Sequence, residues 1–231
     1  MPETLEQKLE VRRGALAQIF PLFDPSTLQE ANEIMALGGS MPHIRNEFLW
    51  TADSSMYRAE DGEAFLYFAP KEHNLIFRDF DNAIAQLRST RNYFPPQEGI
   101  NEVIAAASAG KALKIKISDL KLIKDNDEYG HFDVNLDNLD SLNESQMQLV
   151  NTIYGTSRPG NRVYVLNSEY VKRTLKDKKD SAIARASWLV RAGGGSMFGA
   201  DGWGVVFAGS GLLGVLEEAP KAPQKIETAQ T

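Results

Sequence analysis

Apolar residues in the first twenty positions recur at helical spacing. Leu5, Leu9, Val11, Leu16 and Ile19 share one side and charges occupy the other, which predicts a helix from Glu3 to Phe20. Asp24-Pro25 offers an N-cap and a first-turn proline for a second helix that ends at Gly38-Gly39. The pattern then shifts to short aromatic-rich runs, Phe48-Leu49-Trp50, Phe65 to Phe68 and Leu75-Ile76-Phe77. Glu60-Asp61-Gly62 supplies a turn between the first two, so a hairpin or meander is expected here. Helices are predicted over Phe80–Leu87 and, after Pro95-Pro96, over Gln97–Ala109, stopping at Gly110. Leu113 to Ile117 alternates as a strand with one wet face, and Gly130 to Leu136 is its expected partner. Ser141-x-x-Glu144 reads as a capping box opening a helix to Tyr154, ended by Gly155. Arg162 to Leu166 follows as a strand, Ser168 to Lys176 as a helix and Ala182 to Leu189 as a strand. This order predicts an α+β chain without a βαβ series.

From Trp188 to Leu216 the pattern changes again. Half of the chain's 18 glycines fall here, and between Leu189 and Leu216 there is no Lys, Glu, Gln or Pro. Charge is limited to Arg191 and Asp201, in a chain that is 24% charged. So dense a set of glycines argues against a regular helix or one continuous strand, since each weakens an element and offers nothing to pack. Trp188, Phe198, Trp203, Val205, Phe207 and Val215 are spaced through it as anchors, which a Gly/Ser linker would not carry. Trp188 and Trp203 read as core anchors, with an aromatic binding platform as the alternative.

The remaining features exclude more than they propose. With 231 residues and 42% hydrophobic content, the chain has ample material for a core. A net charge of -6 and no basic patch argue against a nucleic-acid partner; the run Lys172 to Lys179 reads as a solvated helix end. The absence of cysteine removes disulfides, thiol nucleophiles and Cys-based metal sites. No signal peptide or membrane-spanning run is recognisable. His43, His73 and His131 lack metal-ligand spacing to one another, so they read as ordinary packed or surface histidines. Asp125-x-Asp127 fails as a calcium loop because Leu136 stands where a bidentate Glu is required. Asp133, Asp137 and Asp140 read as a solvated loop. Gly193-Gly194-Gly195-Ser196 reads as a flexible loop, since no helix with a following Lys succeeds it. No catalytic residue, cofactor or metal is therefore expected.

Several stretches carry a family resemblance. They are Arg162 to Asn167 with Glu169-Tyr170-Val171, then Ala182 to Leu189, the spaced Ser196, Phe198, Ala200 and Gly202, and Gly214-Val215. Tyr93-Phe94-Pro95-Pro96, Ile117-Ser118-Asp119-Leu120 and Ile153-Tyr154-Gly155 extend the likeness over roughly the last 140 residues. In these the chain resembles the variable proteins of diversity-generating retroelements, in the form seen in archaea and candidate-phylum bacteria. In that family a reverse transcriptase randomises adenines of a template copy, and AAY codons are the usual targets. Such codons never become Lys, Glu, Gln, Met or Trp, and residues 189–216 obey that restriction except at Met197 and Trp203.

The resemblance implies a C-type lectin-like fold over 92–218, with a variable region at about 188–216. A helical and mixed α+β region over 1–91 would precede it, and a loosely held tail over 219–231 would follow. It implies that Val190, Arg191, Gly193, Gly194, Gly195, Gly199, Asp201, Gly204, Val206, Phe207, Ala208, Gly209, Ser210 and Gly211 are ligand-facing on a loop-rich surface. Trp188, Leu189, Ser196, Phe198, Ala200, Val205 and Val215 would be framework. The ligand would be macromolecular, a protein in the first instance. Two departures stand out: Leu213-Gly214-Val215-Leu216 replaces the family's arginine-flanked Gly-Val, and calcium-lectin signatures are missing. Two other function classes compete with a diversified binder. One is a structural or virion-associated protein attached through Glu3–Phe20. The other is an enzyme on a formylglycine-generating-type fold, which would need the cysteine this chain lacks.

Overall fold

The computed structural model describes residues 48–69, 71–135, 137–154, 161–178, 180–192, 195–202 and 211–212. The expected N-terminal helices, Glu3–Phe20 and the one ending at Gly38-Gly39, lie outside the described residues, as do Gly155 and the 219–231 tail.

The chain is α+β. Its described elements run β1 (Phe48–Glu60), β2 (Glu63–Ala69), α1 (Leu75–Arg78), α2 (Phe80–Thr90), α3 (Gln97–Ser108), β3 (Leu113–Lys116), β4 (Ile123–Lys124) and β5 (Tyr129–Asp133). After these come α4 (Glu144–Tyr154), β6 (Arg162–Leu166), α5 (Ser168–Leu175), β7 (Ile183–Ala192), β8 (Gly195–Gly202) and β9 (Gly211–Leu212). One mixed sheet gathers the strands in the order β3-β2-β1-β7-β8-β6-β5-β4, with β9 beside β1. Thus β1 and β2, which precede residue 92, pair into the same sheet as β7. The β6–β8 and β1–β9 ladders are parallel, and the other ladders are antiparallel.

Strand alternation divides the apolar side chains between two cores. Tyr57, Leu66, Phe68, Ile115, Val163, Val165 and Ile183 face one side. There Leu149, Val150 and Ile153 of α4 and Val171 and Leu175 of α5 cover them. Met56, Tyr67, Ala69 and Ala184 face the other, under Leu75, Ile76, Ala83, Leu87, Ile100 and Val103 of α1 to α3. This second layer covers the β2-β1-β7 part of its face. At the β6-β5-β4 end, no described helix contributes to a core on that side.

The hairpin signal is realised in detail. Glu60 pairs with Glu63, and Asp61 (φ 49) and Gly62 (φ 84) both take positive φ, the two-residue turn whose twist matches the strands. Four expectations are corrected. Leu75-Ile76-Phe77 is helical rather than extended, because buried Asn74 accepts a hydrogen bond from the Ile76 amide at 2.9 Å and so starts α1. Gly130 to Leu136 is not the partner of β3. The Leu113–Lys116 strand extends the β1–β2 hairpin, whereas β5 lies between β4 and β6. Alternation identifies a strand and its wet face but carries no information on which strand it meets. The α4 cap is Asn143 with Gln146, not Ser141 with Glu144, each side chain accepting from the other's amide at 2.9 Å. Finally, Gly195 and Ser196, expected in a flexible loop, open an eight-residue strand, β8, held by ladders on both sides. Backbone pairing on two edges outweighs the poor strand propensity of its glycines.

Candidate functional site

The sheet register aligns residues from six strands in one transverse row. Trp50 pairs with Trp188, Trp188 with Gly199, Gly199 with Tyr164, Tyr164 with His131, and His131 with Ile123. Directly paired residues share a face of the sheet. The face is the one left without a helical cover at the β6-β5-β4 end, since Val163, Val165 and Phe132 point into the opposite core. Ile123 closes the row at the sheet edge and is 57% exposed, the one exposed large hydrophobic among the described residues. Both β1 and β7 shift register beside Trp50 and Trp188. Bulges of this kind re-aim side chains at the margins of sites.

Rings form a connected group along this row. Tyr164 lies 5.4 Å from His131, 5.7 Å from Trp188 and 6.2 Å, edge-on, from Tyr129, centroid to centroid. Tyr129, Tyr164 and Trp188 are all partly exposed. Arg162, two residues along β6, lies over the Tyr164 ring at 5.9 Å, donates to the Tyr164 hydroxyl at 3.3 Å and to Asp133 at 2.6 Å. The Tyr164 and Asp133 hydrogen bonds together hold its guanidinium above the ordinary arginine value, against a smaller cost of burial. Asp125 Oδ1 sits 2.8 Å from His131 Nδ1 but is out of line for a hydrogen bond. His131 is 5% exposed and packs against Tyr164. The arrangement can stack flat or cationic groups and pair with polar ones.

Behind this face a buried polar junction fixes the turn that carries Tyr129. Arg185 of β7 is fully buried and donates to Asn92 Oδ1 at 2.8 Å, Glu128 Oε1 at 2.5 Å and the Tyr170 hydroxyl at 3.4 Å. Asn126 folds the β4–β5 turn by accepting from the Glu128 and Tyr129 amides, and the Asn167 amide bonds the Glu128 carbonyl at 3.0 Å. The charge pair therefore joins β7, the start of α5 and the β4–β5 turn. A buried guanidinium is tolerable only with partners of this kind.

Of the residues expected to face a ligand, Val190 and Arg191 lie in β7, Gly195, Gly199 and Asp201 in β8, and Gly211 in β9. Where described, these positions are strand, not loop. Val190 pairs with Met197, which pairs with Arg162, giving a second row beside the first. Gly193, Gly194, Gly204, Val206, Phe207, Ala208, Gly209 and Ser210 lie outside the described residues, as do Trp203, Val205, Val215 and His43. The sequence reading missed Tyr129, His131, Asp133, Arg162 and Tyr164 as companions of the segment. Their signal was the strict alternation Tyr129-x-His131-x-Asp133 and Arg162-x-Tyr164, which places each set on one strand face. His73, by contrast, lies in a separate ion cluster with Glu102 and Arg78. Among the described residues no helix is long and apolar enough to cross a membrane. Compared with known families, curated proteins and solved structures, the chain matches none.

Proposed function

We propose that this is a non-enzymatic, ligand-binding protein whose recognition face is built on β7 and β8 and is diversified by retroelement mutagenesis. The observation that carries the reading is the placement of β8. A strand composed mostly of small, uncharged residues runs between two ladders, so its backbone position is fixed from both sides. Variation is tolerable where side chains do not support packing, and preorganised strands limit the entropy lost on binding. The associated fold reading is a C-type lectin-like scaffold. It is supported by the antiparallel closure of β1 onto β7 and by aromatic residues of neighbouring strands bracketing the glycine-rich segment. The ligand is a macromolecule, a protein in the first instance. Val190 and Arg191 of β7 and Asp201 of β8 are among the positions proposed to meet it, with no cofactor or metal.

Sequencing this locus in related genomes tests the reading, together with a search for a near-copy of codons 188–216. Changes confined to positions matched by adenines in that copy are expected. An invariant segment without a template copy would remove the retroelement role.

A further inference from the structure

Trp188 and Tyr164 are not on adjacent strands. β8 runs between them, and both pair with the same residue of it, Gly199. Two strand spacings separate their backbones by roughly 9.6 Å, yet their ring centroids are 5.7 Å apart. The rings therefore lean toward each other across the intervening strand, over the one position in the row that has no side chain. We infer that Gly199 is a required seat for this ring contact. It is a fixed framework position of the recognition face, and diversification is carried by other positions of the segment, 190 and 201 among them. This rests on the proposed function for its diversification half only. It also divides the expected ligand-facing set, moving Gly199 from the varied residues to the platform that supports them.

The physical argument gives a sign as well as a site. In a strand interior, replacing Gly by Val ordinarily stabilises, because Gly carries excess chain entropy and Val fits a pleated surface. If the rings close over residue 199, a branched side chain there instead wedges Tyr164 from Trp188 and loosens Arg162, which stacks on Tyr164. The wedge also separates the rings that line the face, so the cost falls on recognition as well as stability.

The test is a double-mutant cycle on the full chain, comparing Gly199→Val in the native and Tyr164→Ala backgrounds by thermal unfolding. Gly199→Ala serves as a milder probe should the Val variant fail to fold. The expected result is a Tm lowered by about 3 °C or more for Gly199→Val, with most of that loss absent once Tyr164 is Ala. A neutral or stabilising Gly199→Val, or a loss of the same size in both backgrounds, overturns the inference. Sequenced copies of the locus provide the second arm. Glycine at 199 in every copy while 190 and 201 vary supports it, and bulky residues at 199 as often as at 201 overturn it. An invariant segment throughout would instead remove the proposed function, leaving the cycle to decide the packing claim.

Discussion

The guanidinium of Arg185 is sealed from water, so its loss is governed by what it leaves behind. Arg185→Met removes one hydrogen-bond partner each from Glu128, Asn92 and the Tyr170 hydroxyl, leaving Asn92 and Tyr170 bonded to each other and Arg91 at 3.9 Å from Glu128. Breaking a buried pair from one side costs about 3–5 kcal/mol, and Glu128 keeps some access to water, so we expect the lower end. Urea unfolding measures this, and a change smaller than about 1 kcal/mol would show that the junction is not a structural tie. Glu60 offers a pH signature at the opposite sheet edge. Burial raises its carboxyl, but hydrogen bonds from Lys114 and Tyr67 and the charges of Lys114 and Arg58 outweigh that and hold it below the ordinary value. A folded-state value below the unfolded one gives stability that is present above about pH 4.3 and is lost as pH falls through the folded value. Glu60→Gln should therefore lower Tm at pH 7 and converge with the parent protein near pH 3. An equal difference at both pH values would rule out this assignment.

Among the elements, α4 shows how far local sequence signals reach. Its existence, its C-terminal residue Tyr154 and the capping logic are legible in the sequence, but the cap position is not, because Ser141 and Asn143 both carry suitable side chains. The choice is made by tertiary contacts. Asn143 Nδ2 donates to the Asp119 carbonyl at 2.9 Å and Gln146 Nε2 to the Leu120 carbonyl at 2.7 Å, so this box also anchors α4 to the turn at Ile117–Leu120. Asn143→Ala should accordingly cost about 2 kcal/mol, the upper part of the range for a lost cap, whereas Ser141→Ala should stay within about 0.5 kcal/mol. Equal effects in denaturant titrations would contradict Asn143 as the cap. The Leu75–Phe77 run is ambiguous for a similar reason. Three apolar residues fit either period, and the hydrogen bond that the Ile76 amide donates to Asn74 Oδ1 decides for helix.

For the molecule as a whole, the sequence carried the α+β class and most strand positions, and it marked residues 188–216 as unlike the rest. It did not carry strand order. Nothing in the alternation of Leu113–Lys116 reveals that it extends the first hairpin, nor that Gly199 falls between Tyr164 and Trp188. That second juxtaposition, a long-range product of sheet register, is what turns a glycine-rich stretch into a supported face. The central claim is a division of labour: a fixed frame of Trp188, Tyr164 and Gly199 beside positions free to vary. A saturation scan of residues 186–202 and 162–166, read as the fraction of folded protein for every variant, tests it most directly. The account predicts broad tolerance at Val190, Arg191 and Asp201, with intolerance at Gly199, Trp188 and Tyr164. Equal tolerance at both sets, or intolerance concentrated at Val190 and Asp201, would contradict it.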